Sequence, residues 1–105
     1  MKSLDNRELL KERVKLLPML PGVYRFLNKD GTVIYVGKAK NLRNRVSQYF
    51  QSPETLTPKT KVMVSKIESL EHTVVGSEAE ALLLENTLIK RFQPRYNVML
   101  KDGKT

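Results

Sequence analysis

No cysteine and no tryptophan occur in these 105 residues, and His72 is the one histidine. Without cysteine there are no disulfides, no thiolate zinc site and no thiol nucleophile, which suits a reducing cytoplasm. Long apolar runs are missing as well. Met1 to Leu20 interleaves Lys2, Asp5, Arg7, Glu8, Lys11, Glu12, Arg13 and Lys15 with its leucines, so it holds no signal-peptide core. Nowhere does the chain supply the run of about 20 apolar residues that a membrane-spanning helix needs. His72 falls on a candidate strand away from the first hairpin and reads as a half-exposed packing residue rather than a base. There is no aromatic platform motif or arginine-rich run of the kind RNA binders use, and no recognition helix for reading base sequence.

What is present fits one compact domain, residues 1–105, with a modest core drawn from a 40% hydrophobic composition. Nineteen Lys and Arg against eleven Asp and Glu give a net charge of +8. That balance points to a polyanionic partner, DNA, RNA or an anionic membrane, without choosing among them.

Local patterns predict the elements. Asp5 with Glu8 reads as a capping box, followed by the apolar stripe Leu9, Leu10, Val14 and Leu17, which Pro18 and Pro21 bring to an end. Gly22 to Leu27 and Thr32 to Gly37 are rich in β-branched and aromatic residues and flank Asn28-Lys29-Asp30-Gly31, which predicts a hairpin. Asn41 caps a helix through Leu42, Val46, Tyr49 and Phe50, and a polar loop with Pro53 and Pro58 leads to another helix from about Lys59 to Ile67. Leu70 to Val75 is a third candidate strand. Ser77 with Glu80 is a second capping box, opening the longest helix, which runs to about Phe92 and stops before Pro94. Arg95 to Thr105 reads as an irregular tail, and no repeat or low-complexity linker divides the chain.

Several polar residues stand out against this frame. A hairpin loop of four or of two residues puts Tyr24 and Tyr35 on one face, directly opposed in the four-residue case. Such a pair is either an aromatic brace for a small sheet or two hydroxyls with chemistry to perform. With the long helix wound at roughly 100° per residue, Ala81, Leu82, Leu88, Ile89 and Phe92 lie within about 60° of Glu85, which places that carboxylate mid-stripe on an apolar face. Either a cation compensates it there, a Lys or Arg or a metal, or it stands at the rim of the core. Leu42 and Tyr49 flank Arg45 at helical spacing while Arg43 points nearly the other way, so Arg45 leans toward the packed side and wants an anion, a phosphate or Glu85 itself. Lys38 follows Gly37 at a strand exit where glycine permits close approach of a ligand. Asn97 reads first as a cap for local backbone and second as a ligand contact. Lys59, Lys61 and Lys66, like Lys90, Arg91, Arg95, Lys101 and Lys104, favour phosphate contact by their excess over acids.

In order and spacing, Gly22-Val23-Tyr24, Tyr35-Val36-Gly37, Lys38, Asn44-Arg45, Tyr49, Glu85 and Pro94-Arg95-Tyr96-Asn97 resemble the GIY-YIG nuclease pattern over about residues 17–102, with valines for the two motif isoleucines. Pro21, Gly37-Lys38-Ala39-Lys40-Asn41-Leu42 and Tyr96-Asn97-Val98 are especially similar to the UvrC branch of that superfamily. The resemblance implies an α+β fold, a small three-stranded antiparallel sheet flanked by helices. It also implies a DNA endonuclease that cuts with one Mg²⁺ or Mn²⁺ held by Glu85, with Tyr24, Tyr35, Lys38, Arg45, Tyr49 and Asn97 completing the catalytic set. A hard divalent cation keeps several waters, so one protein carboxylate suffices when substrate phosphate completes its shell.

Within that resemblance Tyr24 is the expected base, with Tyr35 able to share the role. A phenol with an ordinary pKa of about 10 needs help from Lys38 or the metal field to act near neutrality. Arg45 stabilises the scissile phosphate, Tyr49 orients the site, Asn97 supports it, and DNA contacts are expected from Lys38, Lys40, Arg43, Arg45 and Arg95. Damaged double-stranded DNA and the UvrB subunit are the implied partners, incision 3′ of a lesion in nucleotide excision repair the implied reaction, and a longer parent protein the implied setting. Two other readings stand beside this one. The first is another structure-selective GIY-YIG repair nuclease; the second is a non-catalytic DNA-binding or docking module, against which a glutamate held in an apolar stripe counts.

Overall fold

The structure, a computed structural model, describes residues 6–51 and 53–100. Its elements in chain order are α1 (Asn6–Lys15), β1 (Gly22–Leu27), β2 (Val33–Ala39), α2 (Leu42–Gln51), α3 (Pro58–Ser65), β3 (Ser69–Val74), α4 (Glu78–Phe92) and α5 (Arg95–Leu100), with one 3₁₀ turn at Pro53–Thr55. The strands form one antiparallel sheet in the order β2-β1-β3. This is the expected α+β arrangement. Among the described residues no helix is long and apolar enough to cross a membrane.

Strand alternation divides the core in two. Tyr24, Phe26 and Tyr35 face the side covered by α1, α2 and α3, where they meet Leu10, Leu42, Val46, Met63 and Ile67. Val23 and Val36 face the other side, against Ala81, Leu84 and Leu88 of α4. A strand whose neighbours bury both faces needs apolar residues at successive positions, and β1 has them in Val23, Tyr24 and Phe26.

The hairpin turn is held by Asn28, whose Oδ1 accepts from the amides of Asp30 and Thr32 at 2.9 and 3.0 Å, while Gly31 adopts φ 80°. Asn combines a short acceptor with turn geometry, and Gly takes the positive φ without a Cβ clash. The strands then pair Tyr24 with Gly37 and Phe26 with Tyr35, and between Tyr35 and Val33 the register shifts by one residue at Ile34. Tyr24 and Tyr35 therefore share a face but sit on a diagonal, not directly opposed as the four-residue loop would have placed them.

Helix starts follow the caps. Asn41 Oδ1 accepts from the Asn44 amide at 3.0 Å, opening α2. Ser77 Oγ accepts from the Glu80 amide at 3.2 Å as the box expects, while Glu80 Oε1 reaches one residue past the cap and accepts from the Gly76 amide at 2.6 Å. α4 ends where Gln93 turns left-handed at φ 48° and donates back to Ile89 O at 2.8 Å, one residue before Pro94. Asp5 of the first capping box lies outside the described residues. Leu10 and Val14 of α1 are buried as expected, as is Leu17 just beyond its end, but Leu9 faces solvent.

Several boundaries differ from the sequence reading; β2 runs on through Lys38 to Ala39 because both still pair with β1, so Lys38 lies within the strand rather than at its exit. Thr57 caps α3 one turn-forming proline earlier than Lys59, and the helix ends at Ser65 because Lys66 and Ile67 tighten into bonds to Met63 and Val64 carbonyls. β3 starts at Ser69, which pairs with Leu27, and closes at Val74. The tail is not irregular through Leu100: Arg95–Leu100 is helical, anchored by buried Pro94, Tyr96 and Asn97, while residues 101–105, with Lys101 and Lys104, lie outside the described part.

Candidate active site

The centre of the site is a cluster of phenols on the α2 face of the sheet. Tyr24 is 0% exposed, and its hydroxyl lies 2.9 Å from that of Tyr49, about two turns into α2. Ring centroids are 6.0 Å apart for Tyr24 and Tyr49, 6.3 Å for Tyr24 and Tyr35, and 6.5 Å for Tyr35 and Tyr49, with Phe26 packed beneath at 5.3 Å from Tyr24 and 5.1 Å from Tyr49. Gly37 is what admits the Tyr24 ring: a methyl at that position would overlap Tyr24 Cζ and Oη. At Gly22 a methyl would meet the Thr73 carbonyl and, at 2.7 Å, Leu42 Cδ1, so the strand and α2 approach each other across a missing side chain.

Burial dominates the proton affinity of these hydroxyls. Tyr24 is pushed up to about 12 by burial and by the nearby Tyr35, with Tyr49 and Arg45 pulling in the other direction. Tyr35 and Tyr49 are raised further, again chiefly by burial, and the Glu85 carboxylate adds to the rise at Tyr35. A glutamate on α4 and a tyrosine on β2 are thus within electrostatic reach of each other.

Arg45 stands at the mouth of the cluster. Its Cζ lies 5.8 Å from the Tyr49 ring centroid, and proximity to Tyr24 raises its already high pKa, keeping it charged. Its guanidinium leans onto the buried phenols as expected, although the residue as a whole is exposed and Arg43 is the more covered of the two. Arg43 Nε donates to Leu17 O at 2.9 Å, fixing the start of α2 to the exit of α1. The helical angle sets the direction of a side chain but not how far a long guanidinium runs along a surface.

Two clefts meet at Arg45. One is lined by Lys38, Lys40, Arg45, Glu78, Ala81 and Leu82, with Lys40 Nζ 3.9 Å from Glu78 Oε2. The other is lined by Tyr35, Arg45, Gln48 and Tyr49 together with the segment leading into α3. Sequence reasoning missed Gln48 and that segment, because an exposed amide and scattered threonines carry no pattern of their own.

Glu85 is half-buried on α4, and among the described residues no ion pair or hydrogen bond engages it. The same residues contain no group of three or more His, Cys, Asp or Glu able to cage a metal. A lone, partly covered carboxylate beside phenol oxygens fits a hard divalent cation that takes its remaining oxygens from water and substrate. It does not fit zinc in a closed protein cage.

Asn97 neither caps its own loop nor reaches into either cleft. It is 5% exposed, its Oδ1 accepts from the Val36 amide at 2.8 Å and its Nδ2 donates to the Val36 carbonyl at 2.9 Å. The side-chain amide thereby takes the place of a neighbouring strand along the free edge of β2, between Tyr35 and Gly37. Arg95 lines a different cleft with Lys29 and Lys66 at the turn end of the hairpin, apart from Lys38 and Arg45. His72 pairs across from Tyr24 on β3 and is exposed rather than half-exposed.

Comparison with known proteins matches residues 20–98 to the UvrC-like GIY-YIG domain family. The chain is 57% identical over 96 residues to UvrABC system protein C of Carboxydothermus hydrogenoformans, covering 91% of this chain and 16% of that protein. With UvrABC system protein C of Chlorobium phaeobacteroides the identity is 60% over 94 residues, covering 90% of this chain and 15% of the relative. The chain thus spans about one sixth of the length of these relatives. It also superposes, with a TM-score of 0.78 and 42% identity over 93% of this chain and 100% of the other, on the GIY-YIG N-terminal endonuclease domain of UvrC from Thermotoga maritima, a crystal structure bound to magnesium as its catalytic divalent cation. Tyrosine-to-phenylalanine and asparagine-to-alanine point mutants of that Thermotoga domain, also bound to the cation, superpose with TM-scores of 0.78 and 0.76.

Proposed function

This chain belongs to the UvrC-like GIY-YIG domain family, and on that premise we propose that it is a divalent-metal-dependent DNA endonuclease domain making the incision 3′ of a lesion in nucleotide excision repair. The observation that carries the reading is Glu85, a half-buried carboxylate within electrostatic reach of Tyr35 in a phenol cluster that Arg45 adjoins. A binding module has no use for that combination. The consistent naming of the relatives as UvrABC system protein C supports the repair setting over another structure-selective nuclease. Its partners in this reading are damaged double-stranded DNA and UvrB.

Glu85 would hold Mg²⁺ or Mn²⁺, which when bound supplies positive charge at the leaving oxygen and acidifies water. Arg45, exposed and firmly protonated, grips the scissile phosphate, and Lys38 and Lys40 in the adjoining cleft take the neighbouring phosphates. Tyr35 and Tyr49 border the other cleft and meet the attacking water. Tyr24 has no exposed surface and is reached through its hydrogen bond to Tyr49. Burial raises the proton affinity of all three phenols, so the cluster takes up negative charge only with help from Arg45 and a bound cation. Asn97 acts through Val36, fixing the strand from which Tyr35 and Lys38 project.

A duplex with one bulky lesion, loaded with UvrB in Mg²⁺, tests the assignment. Arg45→Ala is expected to remove the 3′ nick and spare the 5′ nick. Persistence of the 3′ nick, or loss of the 5′ nick alone, would overturn it.

A further inference from the structure

Resting on the nuclease reading, we propose that the cleft between α2 and the start of α3 is a nucleotide subsite, receiving the sugar and base next to the scissile phosphate, with Gln48 and Thr60 as its polar contacts. The cleft measures about 450 Å³, within the roughly 300–1,000 Å³ of small-ligand sites. Its walls include Tyr35, Arg45, Gln48, Tyr49, Thr57 and Thr60.

Continuity is the first argument. A phosphodiester has a nucleoside on each side, so a strand that sets one phosphate on Arg45 must run into both clefts that Arg45 lines. Charge is the second. The cleft holding Lys38 and Lys40 is cationic and suits phosphates. In the other, Arg45 is the one charged residue of the lining, and the rest is amide, hydroxyl, phenol and one leucine. Such a surface matches the uncharged part of a nucleotide, where phenol rings offer stacking area and amides and hydroxyls meet sugar oxygens and base edges.

Local structure makes the walls definite. Gln48 lies three residues after Arg45, on the same side of α2, and makes no hydrogen bond to another described residue. Across the cleft, Thr57 Oγ1 accepts from the Thr60 amide at 3.2 Å and bonds to Thr60 Oγ1 at 3.0 Å, which fixes the Thr60 hydroxyl relative to the helix. Thr60 thus presents an oriented group and Gln48 an adaptable one.

The experiment uses the UvrB-loaded lesion duplex with an abasic residue placed, in turn, at each nucleotide flanking the 3′ cut. Unmodified protein is expected to lose about tenfold in kcat/KM at one adjacent position, the size of a lost stacking or hydrogen-bond contact. Gln48→Ala combined with Thr60→Val is expected to lose a similar factor on intact DNA and nothing further at that position. A variant that merely misfolds would instead keep the abasic penalty while losing rate everywhere. An equal penalty in both proteins, or no penalty in the unmodified protein at either neighbour, overturns the subsite. Failure of the unmodified protein to make the 3′ cut on intact DNA would overturn the nuclease reading itself, and the subsite with it.

Discussion

Gly37 lacks a side chain because the Tyr24 phenol occupies the space where one would stand. From that substitution-intolerant contact follows the burial of Tyr24, and from the burial its pKa of about 12. A base with that pKa is ionised in only about one molecule in 10⁵ at pH 7, and the ionised fraction rises about tenfold per pH unit until the pKa is approached. The 3′ incision rate measured between pH 7 and 9 is therefore expected to climb with a slope near one on logarithmic axes. In Tyr24→Phe it should fall by about 10² or more, the usual contribution of a general base, and lose most of that slope. An unchanged rate and slope would remove Tyr24 from proton transfer. At this scale the sequence was informative about Arg45, whose lean toward Tyr49 follows from its place on α2, and only partly informative about Glu85, because Leu82 and Phe92 of its expected apolar stripe are exposed.

Among the elements, β2 has the least conventional support. It is an edge strand, yet it carries Tyr35 and Lys38, so its position has to be fixed without a fourth strand. Asn97 does this from α5 by closing both hydrogen bonds of Val36. Asn97→Ala leaves a buried amide and carbonyl unpaired, and is expected to cost about 1–3 kcal/mol in urea unfolding. Faster exchange of the Val36 amide should accompany that loss. Unaltered stability and exchange would mean that α5 is not what holds the edge. The hairpin and α4 could be read ahead of the structure because their turn and caps are local chemistry, as the Asn28 and Ser77 bonds show. α5 could not: six residues after Pro94 are too few for a helical period to appear, and the helix exists by docking on β2 and α3 rather than by propensity.

For the whole molecule, a three-stranded sheet with helices on both faces gathers Tyr24 from β1, Tyr35 from β2 and Arg45 and Tyr49 from α2 into one cluster, with Glu85 of α4 within electrostatic reach of Tyr35. The spacing of those residues along the chain was legible; their meeting point required the sheet order β2-β1-β3, which no local pattern encodes. In the proposed reading the +8 charge serves attraction to DNA, while the chemistry rests on Glu85. The most direct test of this account is Mg²⁺-dependent 3′ incision by unmodified protein and by Glu85→Gln, with DNA binding followed by anisotropy in parallel. Loss of incision by at least about 10³, the scale of removing a transition-state electrostatic contact, with binding retained, is the expected result. Incision by the glutamine variant at the unmodified rate and the same Mg²⁺ dependence would contradict it.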